Sequence, residues 1–352
     1  IQALIINGAE CEPYIACDES LMRDNPQQLI LACQMMRDTC GADQAVIAVE
    51  DQMGAVEHLL NQAKQELKAD DIKILKVPTI YPEGGERQLI KVLTGLEVPT
   101  EGHPHDIGLV CLNVATVVSA YRAVTEGRPL ISRIVSLTGR GIAEPQNFEV
   151  LLGTRISDLV ALAGGYTDQA QRLVVGGPMM GIAIPNDDYA ISKSSNCVVA
   201  LVDDDIQQKN PEVPCIRCMD CVTACPAQLL PQQLFAYIRH SDYEQAQQHQ
   251  LFDCIECGCC AYVCPSQIPL VDYYRHAKSE IKAQQNAQQH AKHAKLRFEA
   301  RNQRLVQQEE QTNLRRLEKQ KALNQDSNNQ AGLDPIAAAV ARAKARKKSK
   351  QS

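Results

Sequence analysis

Tryptophan is absent from the 352 residues, and aromatic residues make up only 4% of them. Cores built from this chain must therefore be mostly aliphatic. Base stacking has little to work with, least of all after Ala277, where Phe298 is the lone aromatic, so nucleic acid is not an expected partner. Long apolar runs are missing too. The longest uncharged stretch near the middle, IGLVCLNVATVVSAY from Ile107 to Tyr121, falls short of the roughly 18 to 20 apolar residues that span a bilayer. No charged n-region or cleavage site opens the chain, so no secretory signal is read. A start at Ile1 without Met is expected of a chain that begins inside a longer protein.

What is present is enough for real cores: 45% of residues are hydrophobic, and the length predicts two or three domains. Charge is uneven. From Ala277 to Ser352 there are 17 Lys+Arg against 7 Asp+Glu, a balance of +10, which leaves −16 on the remainder. A basic tail follows an acidic body. The tail is rich in helix-forming Ala, Gln, Lys and Glu and poor in large apolar residues, so a single helical or disordered extension is expected. Its charge suits an anionic membrane surface or an acidic partner.

Fifteen cysteines carry the strongest signal. Eight fall into two copies of C-x2-C-x2-C-x3-C-P: Cys215, Cys218, Cys221, Cys225 and Cys254, Cys257, Cys260, Cys264. Disulfides account poorly for such close spacing. Zinc is the alternative, but it usually pairs two C-x2-C units across a long loop. Three cysteines at period three wrap one tight loop around a cubane, and the trailing Cys-Pro matches the ferredoxin run whose fourth Cys reaches the other cluster. The expectation is two [4Fe–4S] clusters with crossed ligation. One uses Cys215, Cys218, Cys221 and Cys264; the other uses Cys254, Cys257, Cys260 and Cys225. Cys259 breaks the period and reads as a packed thiol. Cys11, Cys17, Cys33, Cys40, Cys111 and Cys197 lack ligand spacing and read as structural.

Upstream, strands alternate with helices: ALIING (3–8), a helix opened by Asn25-Pro26 with Asn25 as N-cap, QAVIAVE (44–50), GAVEHLLNQAKQEL, DIKILKV (71–77), ERQLIKVLTG, GLVCLNV and ATVVSAYRAVTEG. This order predicts an α/β domain with a largely parallel sheet. Ligands of such sheets bind beyond the strands' carboxyl ends, where NGAECEP, YPEGGE and NVAT stand. Asn113 to Thr116 at a helix start offers a phosphate seat. GGPMMG (176–181) looks like a phosphate loop but lacks Lys and Ser/Thr, so a tight turn is expected.

NGAECEPYIACDESLM, YPEGGERQLIKVLTG and CLNVATVVSAYRAV together resemble the flavin-binding subunit of respiratory complex I and its relatives. With two ferredoxin motifs downstream, the chain is more similar to one branch, the C subunit of the Rnf (Rsx) ion-translocating electron-transport complexes. The resemblance covers roughly Ile1 to Val271, and DPIAAAVARAKARK resembles that branch's Ala/Lys-rich C-terminal repeats. It implies a flavoprotein-like α/β domain at 1–127 and a β-grasp module at 128–200 acting as a spacer. An α-helical ferredoxin-type two-cluster domain at 201–276 and the basic tail at 277–352 follow.

Asn7, Glu10 and Glu12 match the family's Asn and its two Glu positions around FMN and nicotinamide. Tyr81, Gly85 and Glu86 match the second segment, and Asn113 and Thr116 the third. Ala9 stands where complex I has Asp. The family's Gly-rich flavin-phosphate loop lies upstream of Ile1, so FMN and NAD(H) are expected of the full-length protein.

The implied function is a peripheral electron-transfer subunit on the cytoplasmic side of a bacterial inner membrane. It would pass electrons between NAD(H)/flavin and ferredoxin-type carriers beside integral-membrane partner subunits. The alternative is an iron–sulfur adaptor of the glycolate-oxidase or heterodisulfide-reductase kind, without nucleotide chemistry.

Overall fold

In a computed structural model, residues 1–100, 102–206, 211–330 and 335–348 are described, so the last residues of the basic ARAKARKKSK run lie outside the description. The chain forms two compact units, Ile1–Ser279 and Glu280–Ser352.

The first unit opens on a four-stranded parallel sheet of β1 (Ala3–Gly8), β2 (Gln44–Glu50), β3 (Ile72–Val77) and β4 (Leu109–Asn113), in the order β3-β2-β1-β4. Helices α1 (Cys17–Asp24), α2 (Pro26–Cys40), α3 (Gly54–Glu66), α4 (Glu86–Thr94) and α5 (Val114–Glu126) connect and cover it. Parallel sheets are buried on both faces, which requires strands that are apolar at every position. In β1, Leu4 and Ile6 enter the core shared with α2, α3 and α5, while Ala3 and Ile5 enter the core with Leu89 and Ile90 of α4. The order reverses at β1, because β2 and β3 extend to one side and β4 to the other. That switch point opens a crevice beyond the strand ends. Pairing of Asn7 with Asn113 puts one asparagine from each strand at its mouth.

Helix α1 is absent from the sequence reading. Asn25 differs as well: its side chain makes no N-cap bond to α2, but donates to the Leu21 carbonyl at the end of α1 and accepts from Arg122 at 3.1 Å.

A second, mixed sheet comprises β5 (Ser132–Thr138), β6 (Gln146–Leu151), β7 (Ala170–Val175), β8 (Ile182–Ile184) and β9 (Cys197–Val202), with α6 (Ile156–Leu162). The order is β6-β5-β9-β7-β8, and β5 and β9 run parallel in the middle. All six residues of β9, CVVALV, are buried because both faces of this central strand are covered. The boundary expected after residue 200 therefore falls inside a strand.

Short helices follow: α7 (Asp220–Thr223), α8 (Pro231–Arg239), α9 (Tyr243–Gln248) and α10 (Cys259–Tyr262), and then the long α11 (Leu270–Gln330). Only α11 as far as Ser279 belongs to the first unit, so the tail expected from 277 begins within a helix. The second unit holds the rest of α11, in which Ile281 is buried but Phe298, Leu305 and Leu317 are exposed, and α12 (Pro335–Lys348).

Candidate functional site

The crevice at the switch point is a cleft of about 450 Å³, within the usual range for small-molecule sites. Asn7, Glu10, Glu12, Tyr81, Gly85, Glu86 and Asn113 all line it. Thr116 does not; it is exposed in the first turn of α5. The two loops nest because residue 84 is glycine: a Cβ there would lie 2.7 Å from the Ala9 carbonyl oxygen and 3.0 Å from Cys11 Sγ. Asn7 locks the same contact, its amide donating to the Gly84 carbonyl at 2.8 Å while its oxygen accepts from Ala9 N–H at 3.0 Å.

Both loop glutamates are half-buried and fixed by backbone donors, unlike ordinary solvated loop carboxylates. Glu10 accepts from the Asp18 and Glu19 backbone N–H groups at 2.9 and 2.8 Å, capping α1, and from the Cys17 thiol at 3.2 Å. Burial pushes its carboxyl up despite these donors. Asp18 is pushed up to about 7 by burial and then by Glu10, partly countered by an Asn113 amide that donates at 2.5 Å. Asn113 also accepts from Ala115 N–H at 2.8 Å. The expected phosphate seat at this helix start is thus already capped and has a carboxylate beside it.

Glu12 reaches the second sheet. Its Oε2 accepts from the Met179 and Met180 N–H groups at 3.0 and 3.2 Å, and it occupies the space a Cβ at Gly177 would need. GGPMMG is a turn, as expected, and it clasps a carboxylate of the first domain. Met180 and Asn196 thereby join the crevice wall.

The lining includes the carboxylates Glu10, Glu12, Asp18 and Glu86 against one basic residue, Arg87, which is bound to Asp253 at 3.0 Å. Such a wall suits an uncharged ring system and repels a phosphate.

The cysteines gather in crossed sets. Cys215, Cys218, Cys221 and Cys264 line one small apolar cavity; Cys254, Cys257, Cys260 and Cys225 line another. Cys259 lines neither. Left-handed backbone at Arg217 and Met219, and at the equivalent Glu256 and Gly258, curls each loop around its cavity. Ser266 donates to the Pro214 carbonyl at 3.0 Å, and Val213 N–H donates to the Ser266 carbonyl at 3.1 Å. These bonds tie the chain after Cys264 to the chain before Cys215, which holds Cys264 beside the first loop. Burial pushes Cys257 up to about 11 and Cys260 up to about 12, so a bound metal cation is what would favour their thiolate form. Four sulfur donors around each dry cavity fit a [4Fe–4S] cluster.

The Cys254 set abuts the crevice. Ile255 lines both cavities, Tyr81 donates from its hydroxyl to the Cys257 carbonyl at 2.5 Å, and Thr100 donates to Asp253 at 2.7 Å.

Three families match successive stretches: the Nuo51 FMN-binding domain over residues 1–122, the SLBB domain over 134–183 and the 4Fe-4S dicluster domain over 214–268. The C subunit of the ion-translocating oxidoreductase complex of Pseudomonas aeruginosa is 42% identical over 99% of this chain and 46% of its own length. Those of Yersinia pestis and Erwinia tasmaniensis are 46% and 44% identical over 87% and 98% of the chain. The chain belongs to the C-subunit family of ion-translocating oxidoreductase complexes. It spans about half the length of these curated relatives. Among solved structures, a chain of an NAD+-reducing [NiFe]-hydrogenase in the air-oxidized state aligns with TM-score 0.51 at 20% identity, over 67% of this chain and 47% of its own. That likeness establishes a shared fold. The family's cofactors are those expected from the sequence, iron–sulfur clusters and FMN.

Sequence reasoning missed several crevice residues. Cys11 lines the crevice although its spacing reads as structural, and Asp18, Arg87, Met180, Asn196 and Ile255 join it. Cys11, Asp18 and Arg87 sit inside the stretches that carry the family resemblance and Ile255 inside a cluster motif, whereas nothing in the sequence pointed to Met180 or Asn196.

Proposed function

We propose that the chain is the peripheral electron-transfer part of a membrane-bound ion-translocating oxidoreductase, working between NAD(H)/flavin and ferredoxin-type carriers. The observation that carries this reading is the double role of Ile255, which walls both the crevice and the cavity of the Cys254 set. Bound FMN would supply exchange between two-electron and one-electron chemistry, and bound clusters would supply one-electron carriers. Asn7, Gly84 and Gly85 shape the ring site, and Glu12 with the GGPMMG turn closes its side. Tyr81 and Ile255 separate it from the Cys254 set. The eight cysteines are the ligands, crossed as above. The Cys215 set faces outward, since Cys215 and Cys218 are exposed, and there a partner carrier docks.

The second sheet, with its central parallel pair and α6, reads as a β-grasp module; it walls one side of the crevice through Met180 and Asn196 and is not a spacer before the cluster domain, because the Cys254 set abuts the crevice directly. Among the described residues no helix is long and apolar enough to cross a membrane. Attachment at the cytoplasmic side of the inner membrane then comes from integral partner subunits, aided by the basic tail on anionic lipid.

The test is anaerobic reconstitution of the full-length protein with iron, sulfide and FMN, followed by NADH. The reading expects one flavin, about eight irons and bleaching of the cluster absorbance. Full clusters without flavin or bleaching would make it an iron–sulfur adaptor.

A further inference from the structure

The family resemblance casts Tyr81 as a cofactor residue, but its hydroxyl is already engaged. Among the described residues it is the one crevice side chain that bonds a cysteine of either set, donating to the Cys257 carbonyl at 2.5 Å. Backbone groups also donate to sulfurs of the same set: Leu229 N–H to Cys225 Sγ and Glu256 N–H to Cys254 Sγ, both at 3.4 Å, and Cys259 N–H to Cys257. Lys278 adds its ammonium to the Cys254 carbonyl at 2.7 Å. In the Cys215 set, Cys221 accepts from the Gln232 backbone N–H, but no crevice side chain reaches a residue of that set among the described bonds.

The second loop does not depend on Tyr81 for its position. Asp253 is held by Arg87 at 3.0 Å and Thr100 at 2.7 Å, and Glu256 by Arg275 and Lys278 at 2.9 and 2.8 Å. The tyrosine hydroxyl is thus surplus to docking. What it adds is a dipole, positive end toward a ligand residue, in a low-dielectric wall. Such donors stabilise the extra negative charge of a reduced centre.

We propose that Tyr81 is a positioning residue that sets the reduction potential of the centre held by Cys254, Cys257, Cys260 and Cys225, and so ties that centre to the crevice. The inference rests on the reading of this set as cluster ligands, but not on flavin binding.

The experiment uses the full chain reconstituted anaerobically without flavin and compares Tyr81→Phe with the unaltered protein and with Thr100→Val. Thr100→Val removes a docking bond of the same loop through a neutral change. Iron content and a potentiometric EPR titration are read for each. Tyr81→Phe should keep all the iron, shift the centre of the Cys254 set to a more negative potential and leave the other centre in place, while Thr100→Val shifts neither. An unshifted potential in Tyr81→Phe overturns the proposal. So does an equal shift in both variants, or loss of iron from Tyr81→Phe, because Tyr81 would then serve only to hold the loop. Failure of the unaltered chain to take up iron overturns the ligand reading as well, whereas failure to bind FMN in a separate assay bears only on the crevice.

Discussion

Ile216 and Ile255 occupy the same position in two copies of one phrase, CIRC and CIEC, yet one is 67% exposed and the other walls the crevice. The neighbouring positions diverge in the same way. Arg217 is exposed, whereas its counterpart Glu256 is held by Arg275 and Lys278. Met219 is exposed at 45%, and its counterpart is Gly258. Identical spacing gathers the cysteines in the same way in both copies, while the residues between them fit one loop against the crevice and the other to a surface. The proposed function gives this a reason, since a wire needs two ends with different neighbours.

The harshest way to break the comparison is to remove a crossing cysteine. Cys225→Ala should abolish the centre built on the second loop, and Cys264→Ala the one on the first, each lowering iron from about eight to about four per chain. Cys259→Ala should leave both, since it lines neither cavity. EPR of the variants identifies the surviving centre. Damage confined to the mutated loop's own centre would refute the crossing.

The paired isoleucines offer a finer probe. Ile216→Glu should keep all iron but slow transfer to a soluble ferredoxin by about tenfold, equivalent to about 1.4 kcal/mol of docking. Ile255→Glu should add a charge to an already acidic crevice and abolish flavin binding, measured by fluorescence.

Titration tests the buried side. Burial and the neighbouring Glu10 push the Asp18 carboxyl up from its ordinary 3.8 to about 7. Folding stability from this group is therefore full below about pH 4 and is lost as pH rises toward 7. Asp18→Asn should flatten thermal stability across that window and raise Tm by a few degrees at pH 8. A wild-type profile in the variant would contradict the assignment.

The smallest effect is expected from the tail. Deleting Gln284 to Ser352 should leave cluster absorbance unchanged and weaken binding to anionic liposomes at low salt. Loss of cluster incorporation would place the tail within the cluster domain's fold.

These contrasts also show what a sequence can reveal. ALIING and QAVIAVE were legible as strands because they are short apolar runs with turn residues or polar segments around them. The crossed cysteines were legible because the spacing is local and repeated. Helix α1 was not, because CDESLMRD is polar and its N-terminus is capped by Glu10, which stands outside the helix. The clasp on Glu12 comes from residues 167 and 168 positions away, beyond any local pattern. Cys11 was passed over for lacking ligand spacing, yet it lines the crevice because Gly84 lets two loops lie in contact.

The two proposed centres face different ways, and solvent access measures this most directly. In the anaerobically reconstituted full chain, a soluble dysprosium chelate should strongly enhance the EPR relaxation of the centre whose ligands include exposed Cys215 and Cys218. The centre of the Cys254 set should remain nearly unaffected. Equal enhancement of both, or a stronger effect on the Cys254 set, would contradict the account.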